Sequence, residues 1–155
     1  MLVSDPFLPA AEAREIGLEP VELDELFARS TVVSLHAPLL DETRGRIDAA
    51  LLARLRDGGV LINSGRAGLV DEAALFNELR SGRIRAALDV FPVEPLPSDS
   101  PYRRLPNAVL SAHQAGHSVE THLLQGRTMV EEVLRFLRGE PLLFEVTAQM
   151  LPIIA

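Results

Sequence analysis

The chain has 155 residues and a formal net charge of −7 at pH 7, with 47% hydrophobic and 24% charged residues. This length and composition predict one soluble globular domain with a single core, and the acidic balance argues against nucleic acid or an anionic membrane surface as a partner. Because the chain contains no cysteine, disulfide bonds and cysteine-bound metals are excluded.

The N-terminal stretch, MLVSDPFLPAAEAREIG, has neither the basic start nor the apolar middle of a signal peptide. No segment approaches the roughly 18 unbroken apolar residues that a membrane-spanning helix needs. A cysteine-free composition also fits a reducing compartment. We therefore expect a cytoplasmic protein that makes no contact with a membrane.

Short runs of apolar and β-branched residues alternate along the chain with amphipathic segments of helical length. In chain order, the predicted elements are a strand at 2–4, a helix at 10–16, a strand at 18–21, a helix at 22–29, a strand at 31–38, a helix at 48–56, a strand at 59–63, a helix at 71–81, strands at 84–91 and 108–113, and a helix at 118–138. Runs such as TVVSL and VLIN are continuously apolar, which is typical of parallel strands covered on both faces. The sequence therefore predicts an α/β fold with helices on either side of a mainly parallel sheet.

Three residues mark predicted helix ends. Asp71 is placed to cap the start of the helix EAALFNELR, because a carboxylate there can accept a backbone N–H of the first turn. Gly82 and Gly139 follow basic residues at positions where a glycine commonly ends a helix.

Polar or charged residues follow the predicted strands at their carboxyl ends, where ligands bind in open parallel sheets. They are Asp5, the run His36, Ala37 and Pro38, the run Ser64, Gly65 and Arg66, then Asp89, Glu94 and His113. The pattern predicts a ligand site at this edge of the sheet.

Asp5 has two interpretations. A carboxylate after the first strand of a dinucleotide-binding fold accepts hydrogen bonds from the adenosine ribose and repels a 2′-phosphate, which favours NAD over NADP. Asp-Pro is also an ordinary turn starter, and taken alone Asp5 with Pro6 fits a simple turn better than a ribose contact.

Arg66, Glu94 and His113 make chemical sense as a set for a 2-oxo acid. A planar guanidinium can hold the carboxylate of such an acid by two hydrogen bonds. A histidine is a natural proton donor to the neighbouring carbonyl oxygen as hydride reaches its carbon, and a glutamate beside it orients the ring and favours the imidazolium. Each residue alone also has an ordinary structural interpretation, as a surface ion pair, a solvated loop residue or a hydrogen-bonded strand end.

Five motifs carry a resemblance to a known family. They are VSDPF, SLHAPLLDETRGRI, GGVLINSGRAGLVDEAAL, IRAALDVFPVEPLP and LSAHQAG, in the family's order and spacing. From Val3 to about Pro141 the chain resembles the coenzyme-binding domain of the D-isomer-specific 2-hydroxyacid dehydrogenases, which include phosphoglycerate, glyoxylate and D-lactate dehydrogenases. The resemblance implies a Rossmann-like, doubly wound sheet, NAD as cofactor and a small 2-oxo or 2-hydroxy acid as substrate.

The resemblance also implies roles for individual residues. Arg66 would bind the substrate carboxylate, Glu94 would pair with the catalytic histidine, and His113 would be the general acid and base. Asp5 with Pro6 would bind the ribose of the cofactor, and His36, Ala37, Pro38 and Thr43 would line its adenine side. Asp89 would contact the nicotinamide carboxamide. Further contacts would come from the turn of Ser64, Gly65 and Arg66, and from His113, Ala115 and Gly116 at the nicotinamide end.

The chain departs from the family pattern in two ways. Ala112 stands where members usually carry proline, and Gln114 and His117 stand where apolar or small residues are common. The larger departure is that GxGxxG occurs nowhere in the chain, although in the family this pyrophosphate loop precedes the strand that ends in Asp5. The prediction is therefore a truncated NAD-binding domain at 1–140, lacking its first βα unit, followed by a tail at 141–155 that in the family returns to a substrate domain. Met1 as an internal start is an alternative.

The missing unit includes the central strand of the family's sheet. The strands at 2–4 and 18–21 must then pair directly with the strand at 31–38, borrow a strand from another chain, or leave their edges exposed. We expect a homo-oligomer or a partner chain that completes the sheet, and the apolar tail is a candidate for self-association.

Two other functions remain open. The first is a non-catalytic relict or a binding or regulatory module on the same fold, since fold and residues do not guarantee turnover. The second, which the pattern disfavours, is a metal site at His113, His117 and His122, because the Ala-Gly between the first two indicates a loop and no carboxylate completes a ligand set. We predict no metal. Formate dehydrogenases resemble the chain less, because they place glutamine where Glu94 stands.

Overall fold

The computed structural model describes residues 1–151 and residue 154. In chain order its elements are β1 (Leu2–Val3), α1 (Ala10–Glu15), β2 (Glu19–Pro20), α2 (Leu23–Arg29), β3 (Val32–Leu35), α3 (Ala49–Arg54), β4 (Val60–Asn63), a 3-10 helix (Ala67–Leu69), α4 (Glu72–Arg80), β5 (Arg85–Leu88), a 3-10 helix (Pro101–Arg104), β6 (Ala108–Leu110) and α5 (Val119–Leu137). The predicted α/β fold is confirmed, while the two short 3-10 helices were not predicted.

Strands β3, β4, β5 and β6 form one parallel sheet in that order. The ladders end at the pairs Leu35 with Asn63, Asn63 with Leu88, and Leu88 with Leu110. Three predicted strands were drawn too long, because the chain beyond these pairs turns into loops at 36–38, 89–91 and 111–113. The carboxyl ends of all four strands therefore open onto one set of loops.

Strands β1 and β2 form a separate parallel pair, with Leu2 opposite Glu19 and Val3 opposite Pro20. Direct pairing of this unit with β3, one of the three predicted arrangements, is therefore wrong. The gap expected from the missing central strand is present: within the described residues, the outer edge of β3 carries no strand.

Helices α2, α3 and α4 close the core on one face of the four-stranded sheet, where Val33, Leu61 and Ala86 are buried. On the opposite face, Val32 and Val109 are exposed. The largest fully buried side chains are Phe27, Leu52, Leu55, Leu61, Leu79 and Ile84. Each side chain of this kind contributes about 1.5–3 kcal/mol by leaving water. Phe27 belongs to α2, so this helix joins the core of the larger sheet although it follows the β1–β2 unit.

The predicted helix ends are confirmed. The Asp71 carboxylate accepts the Ala74 N–H at 2.9 Å at the start of α4. Gly82 and Gly139 have positive φ angles of 76° and 67°, which glycine adopts without a Cβ clash and which end α4 and α5.

The long helix α5 differs from the others. Within the described part of the chain none of its residues is buried, and its apolar side chains face solvent, with Val119 and Leu137 each 73% exposed. Glu132 accepts the N–H groups of Leu143 and Phe144 at 3.0 Å, which folds the following segment back along the helix. The predicted tail at 141–155 is described only through residue 151 and at 154; residues 152, 153 and 155 lie outside the described residues.

In the described ranges, 1–151 and 154, we find no helix with both the length and the apolar character needed to cross a bilayer.

Candidate active site

His113 and Glu94 form the central contact of the site. His113 Nδ1 lies 2.7 Å from Glu94 Oε2, and the Phe91 N–H donates to Glu94 Oε1 at 2.8 Å. The hydrogen bond from His113, followed by that from Phe91, holds the pKa of Glu94 below its usual value. An ionised carboxylate only accepts hydrogen bonds, so Nδ1 carries a proton and Nε2 is the ring nitrogen left to exchange one with a ligand.

The backbone of His113 is held in an unusual conformation. Its φ is +52°, in the left-handed region that residues other than glycine seldom adopt. The His113 N–H donates to the Asp89 carbonyl at 2.8 Å, which ties the loop to the end of β5. The imidazole thus leaves the loop in a direction set by hydrogen bonding rather than by local preference.

The Asp89 carboxylate organises the rest of this loop. Oδ1 accepts the Ser111 hydroxyl at 2.5 Å and the Gln114 N–H at 2.8 Å, and Oδ2 accepts the Ala115 N–H at 2.8 Å. Burial opposes ionisation, but these hydrogen bonds outweigh it and hold the pKa of Asp89 below its usual value. The residue predicted to contact the nicotinamide carboxamide is thus 5% exposed and bonded to the His113 loop.

Arg66 lies in the turn that follows β4. Its side chain is exposed, and Nη1 donates to the Gly65 carbonyl at 3.0 Å. Beneath it, the Asn63 side chain is 2% exposed and bonds both ends of the turn, accepting the Gly65 N–H at 3.1 Å and donating to the Arg66 carbonyl at 3.0 Å. Ser64, also predicted, is half-buried in the same turn.

The predicted adenine side is a loop that supports itself. The Thr43 hydroxyl donates to the Pro38 carbonyl at 2.6 Å and accepts the Leu40 N–H at 2.8 Å. The His36 Nε2 atom lies 2.8 Å from the Ser34 hydroxyl oxygen. Thr43 therefore fixes the backbone that follows β3, while the neighbouring Ala37 is exposed.

Asp5 and Pro6 form a turn after β1. Asp5 Oδ1 accepts the Phe7 N–H at 2.8 Å, which is the geometry of the simple turn interpretation. The residue is exposed, and its second carboxylate oxygen remains accessible to a ligand hydroxyl, so both interpretations of Asp5 are compatible with the geometry.

The three histidines considered for a metal do not converge on one point. His117 and His122 stack edge to face with ring centroids 5.2 Å apart, while His113 is paired with Glu94. Across residues 1–151 and 154 there is no group of three or more histidine, aspartate or glutamate side chains arranged to hold a metal ion.

The site therefore has one close pair of residues that were predicted to be catalytic, and two supported loops. Glu94 and His113 meet directly, Ala115 and Gly116 follow in the same exposed loop, and Arg66 stands on the neighbouring strand exit. The Asp89 N–H donates to the Asn63 carbonyl at 3.0 Å, which links the two loops through the β4–β5 ladder.

Sequence reasoning missed Asn63 and Ser111. The only signal for Asn63 was a polar residue ending the apolar run GVLIN, and Ser111 had no signal beyond its place two residues before His113.

A family comparison and searches for relatives agree on one group of proteins. Residues 1–115 match the family described as D-isomer specific 2-hydroxyacid dehydrogenase, NAD binding domain. D-3-phosphoglycerate dehydrogenase of Archaeoglobus fulgidus is 36% identical over 142 residues, covering 91% of this chain and 27% of that protein. Glyoxylate reductase of Korarchaeum cryptofilum is 41% identical over 128 residues, covering 82% of this chain and 39% of that protein.

Solved structures give the same picture. A D-isomer specific 2-hydroxyacid dehydrogenase from Xanthobacter autotrophicus Py2, in complex with NADPH and MES, superposes with a TM-score of 0.75 at 35% identity, covering 96% of this chain and 60% of that one. Apo D-mandelate dehydrogenase from Rhodotorula graminis gives a TM-score of 0.82 at 31% identity, covering 94% of this chain and 43% of that one. The chain thus spans only part of each relative, down to 27% of the Archaeoglobus protein.

Proposed function

The chain belongs to the D-isomer specific 2-hydroxyacid dehydrogenase family, as part of its NAD-binding domain, and from this premise we propose that it carries the catalytic residues of an NAD-dependent oxidoreductase. The resemblance seen in the five motifs, and with it the Rossmann-like fold, is confirmed. The reaction is hydride transfer between nicotinamide C4 and C2 of a 2-hydroxy or 2-oxo acid. The observation that carries the proposal is the 2.7 Å contact between His113 and Glu94 beside the Arg66 turn.

His113 manages the proton of this reaction. With Nδ1 held by Glu94, Nε2 donates a proton to the oxo oxygen during reduction and removes the hydroxyl proton during oxidation. Glu94 stabilises the imidazolium, because its lowered pKa keeps it negatively charged at neutral pH. When bound, the nicotinamide supplies or accepts the hydride.

Arg66 binds the carboxylate of the acid. Its exposed guanidinium uses one N–H on the Gly65 carbonyl, which leaves other donors for a two-point contact with an incoming carboxylate. That contact places the neighbouring oxo group toward the His113 side of the site.

Asp5 is proposed to accept the adenosine ribose hydroxyls. Its exposed carboxylate has an oxygen that is not used by the Phe7 N–H, which fits hydroxyl donors and disfavours a 2′-phosphate. We therefore propose NAD rather than NADP, although the Xanthobacter relative is described in complex with NADPH.

We propose the remaining cofactor contacts from the same family resemblance. His36, Ala37, Pro38 and Thr43 form the adenine side, and the loop from His113 through Ala115 to Gly116 closes over the nicotinamide. Asp89 supports this loop. Ser64 and Gly65 contact the cofactor from the turn that follows β4.

A second polypeptide segment is part of the proposal. We propose a homo-oligomer or a partner chain that completes the sheet. Three features of the described residues support it: the edge of β3 that carries no strand, the separate β1–β2 pair and the exposed apolar side chains of α5. Domain limits of 1–140 for the cofactor-binding part and 141–155 for the tail, and a cytoplasmic location, remain our proposals.

The alternative is a binding or regulatory module on the same fold without turnover. The open edge of β3, which carries no strand within the described residues, favours it, because an exposed strand edge can pair with a strand of another protein.

The test is an NADH titration of the purified chain, followed by an assay of glyoxylate and larger 2-oxo acids. We expect weak or undetectable NADH affinity for the monomer and oxidation of NADH only when the sheet is completed by association. Replacing His113 with glutamine should abolish that oxidation, whereas the exposed helical Arg80→Gln should leave it unchanged. An associated chain that binds NADH but never oxidises it with any 2-oxo acid would favour the binding module.

A further inference from the structure

The Asn63 side chain is a buried amide at the end of β4. It is 2% exposed, and its strand partners Leu35 and Leu88 are buried apolar residues. Moving an amide from water into such a setting is destabilising unless its hydrogen bonds are replaced. The protein replaces them locally, with partners in the turn that follows.

The two ends of this amide hold two different residues of the turn. Oδ1 accepts the Gly65 N–H at 3.1 Å, and Nδ2 donates to the Arg66 carbonyl at 3.0 Å. The same carbonyl accepts the Leu69 N–H at 3.3 Å, where the 3-10 helix begins. The backbone of Arg66 is therefore fixed on both sides, in an extended conformation with φ −140° and ψ 136°.

The turn is also packed against the neighbouring strand exit. A Cβ built on Gly65 would lie 3.4 Å from the Leu35 carbonyl and 3.8 Å from the Ala37 carbonyl. In the other direction, the Asn63 carbonyl accepts the Asp89 N–H at 3.0 Å. Asn63 thus connects the turn to the end of β5, where the Asp89 carbonyl accepts the His113 N–H at 2.8 Å.

We propose that Asn63 is a positioning residue that acts through Arg66, setting where the guanidinium meets the carboxylate of a 2-oxo acid. The guanidinium itself is exposed, and among residues 1–151 and 154 its one hydrogen bond goes to the Gly65 carbonyl, so its position depends on the backbone from which it extends. The carboxylate partner rests on the proposed function, whereas the clamp on the turn rests on the Asn63 contacts alone.

Asn63→Asp separates clamping from packing, because the two side chains have nearly the same shape. The carboxylate can still accept the Gly65 N–H, but it has no proton to donate to the Arg66 carbonyl. Its second oxygen would therefore face the Arg66 carbonyl oxygen and repel it. Asn63→Ala removes both bonds. Asn77 on the exposed face of α4 gives matched controls, Asn77→Asp and Asn77→Ala.

The experiment is an NMR titration of the isotope-labelled 155-residue chain with oxamate, which presents a carboxylate beside a carbonyl. We expect at least tenfold weaker oxamate binding in both Asn63 variants, with the Asn77 variants equal to wild type. Arg66→Gln should abolish the binding. Oxamate binding by the Asn63 variants with unchanged affinity would overturn the inference.

A substrate-free measurement keeps the two proposals distinguishable. Hydrogen exchange of the Gly65 amide and backbone relaxation at residues 64–66 report the clamp directly. In Asn63→Ala, the exchange rate of the Gly65 amide and the backbone motion at residues 64–66 should both rise several-fold, while amides in β5 stay protected from exchange. If wild-type protein and Arg66→Gln respond alike to oxamate, the carboxylate role of Arg66 fails and the clamp is judged on exchange alone. Unchanged exchange and relaxation at 64–66 would remove the clamp as well.

Discussion

Replacing Asp89 with asparagine disturbs three hydrogen bonds through a change of almost no volume. The Ser111 hydroxyl and the Gln114 N–H both donate to Oδ1, and the Ala115 N–H donates to Oδ2. An asparagine has one acceptor oxygen, so its NH2 group must face at least one of these donors. The least damaging orientation keeps Ser111 and Gln114 on the oxygen and sets the NH2 group against the Ala115 N–H.

The cost follows from these contacts. Hydrogen bonds to a charged group contribute about 1.5–3 kcal/mol each and neutral ones about 1 kcal/mol, so one lost bond and two weakened ones remove about 3 kcal/mol or somewhat more. Removing the charge also relieves the burial penalty of a carboxylate that is only 5% exposed. We expect a net loss of about 2–3 kcal/mol, which for a domain of this size lowers Tm by about 4–12 °C.

Thermal unfolding of the 155-residue chain at pH 7, followed by circular dichroism, measures this loss. Ser111→Ala is the matched control: it removes one donor and leaves the bonds from Gln114 and Ala115, so its Tm should fall by about half as much. Hydrogen exchange of the Ala115 amide should speed up in Asp89→Asn and change little in Ser111→Ala. An Asp89→Asn protein that melts within 2 °C of wild type, with Ala115 still protected, would refute the reasoning.

The pH dependence of this difference has a definite sign. Burial alone raises the pKa of Asp89, but the hydrogen bonds prevail and its pKa in the folded protein lies below the usual value. Such a group stabilises the fold above its unfolded pKa of about 3.9, and the stabilisation is lost as the pH falls through the lower, folded value. The gap between wild type and Asp89→Asn should be constant above about pH 5 and narrow below about pH 4.

Two further changes test the contact between Glu94 and His113 and the packing of the core. In His113→Ala the pKa of Glu94, followed by carboxyl 13C NMR, should rise toward its usual value; because the Glu94 side chain is 35% exposed, solvent screening should keep the loss of stability below about 1 kcal/mol. An unmoved Glu94 titration would mean that the contact with His113 is not what lowers its pKa. Phe27→Ala should cost about 3–5 kcal/mol in urea unfolding because Phe27 is 0% exposed, against little change for Phe7→Ala at 63% exposure; equal effects would contradict the packing of α2 on the core.

The type and order of the elements could be predicted from the sequence because short apolar runs such as VLIN alternate with segments of helical length. Burial on both faces of the strands, which these runs also indicated, is not seen: in β3 only alternate residues are buried. The ends of the strands could not be predicted. The run after Leu35 and the run after Leu88 read on as strand, yet each strand stops where its neighbour's last paired residue stops. The length of each strand depends on the neighbouring strand with which it pairs. The sequence of one strand alone does not show where that pairing ends.

The candidate site divides in the same way. Glu94 and His113 were predicted together because a carboxylate and an imidazole have a joint chemistry, and the structure brings them into contact. Asn63 and Ser111 were missed because a small polar residue near a strand end has many ordinary uses. Both residues matter through their hydrogen-bond partners in the folded protein. The sequence alone does not show which turn or carboxylate lies within their reach.

The proposed substrate-binding and ribose-binding parts of the site lie on different sheets. Arg66 and His113 follow strands of the four-stranded sheet and are linked through the hydrogen bond between the Asn63 carbonyl and the Asp89 N–H. Asp5 follows β1 in the separate pair, which connects onward through α2. The residues proposed for proton transfer and carboxylate binding therefore follow strands of one four-stranded sheet, whereas Asp5, the residue proposed to bind the ribose, follows a strand of the separate pair. Completing the sheet should then change coenzyme affinity far more than it changes the contact between Glu94 and His113.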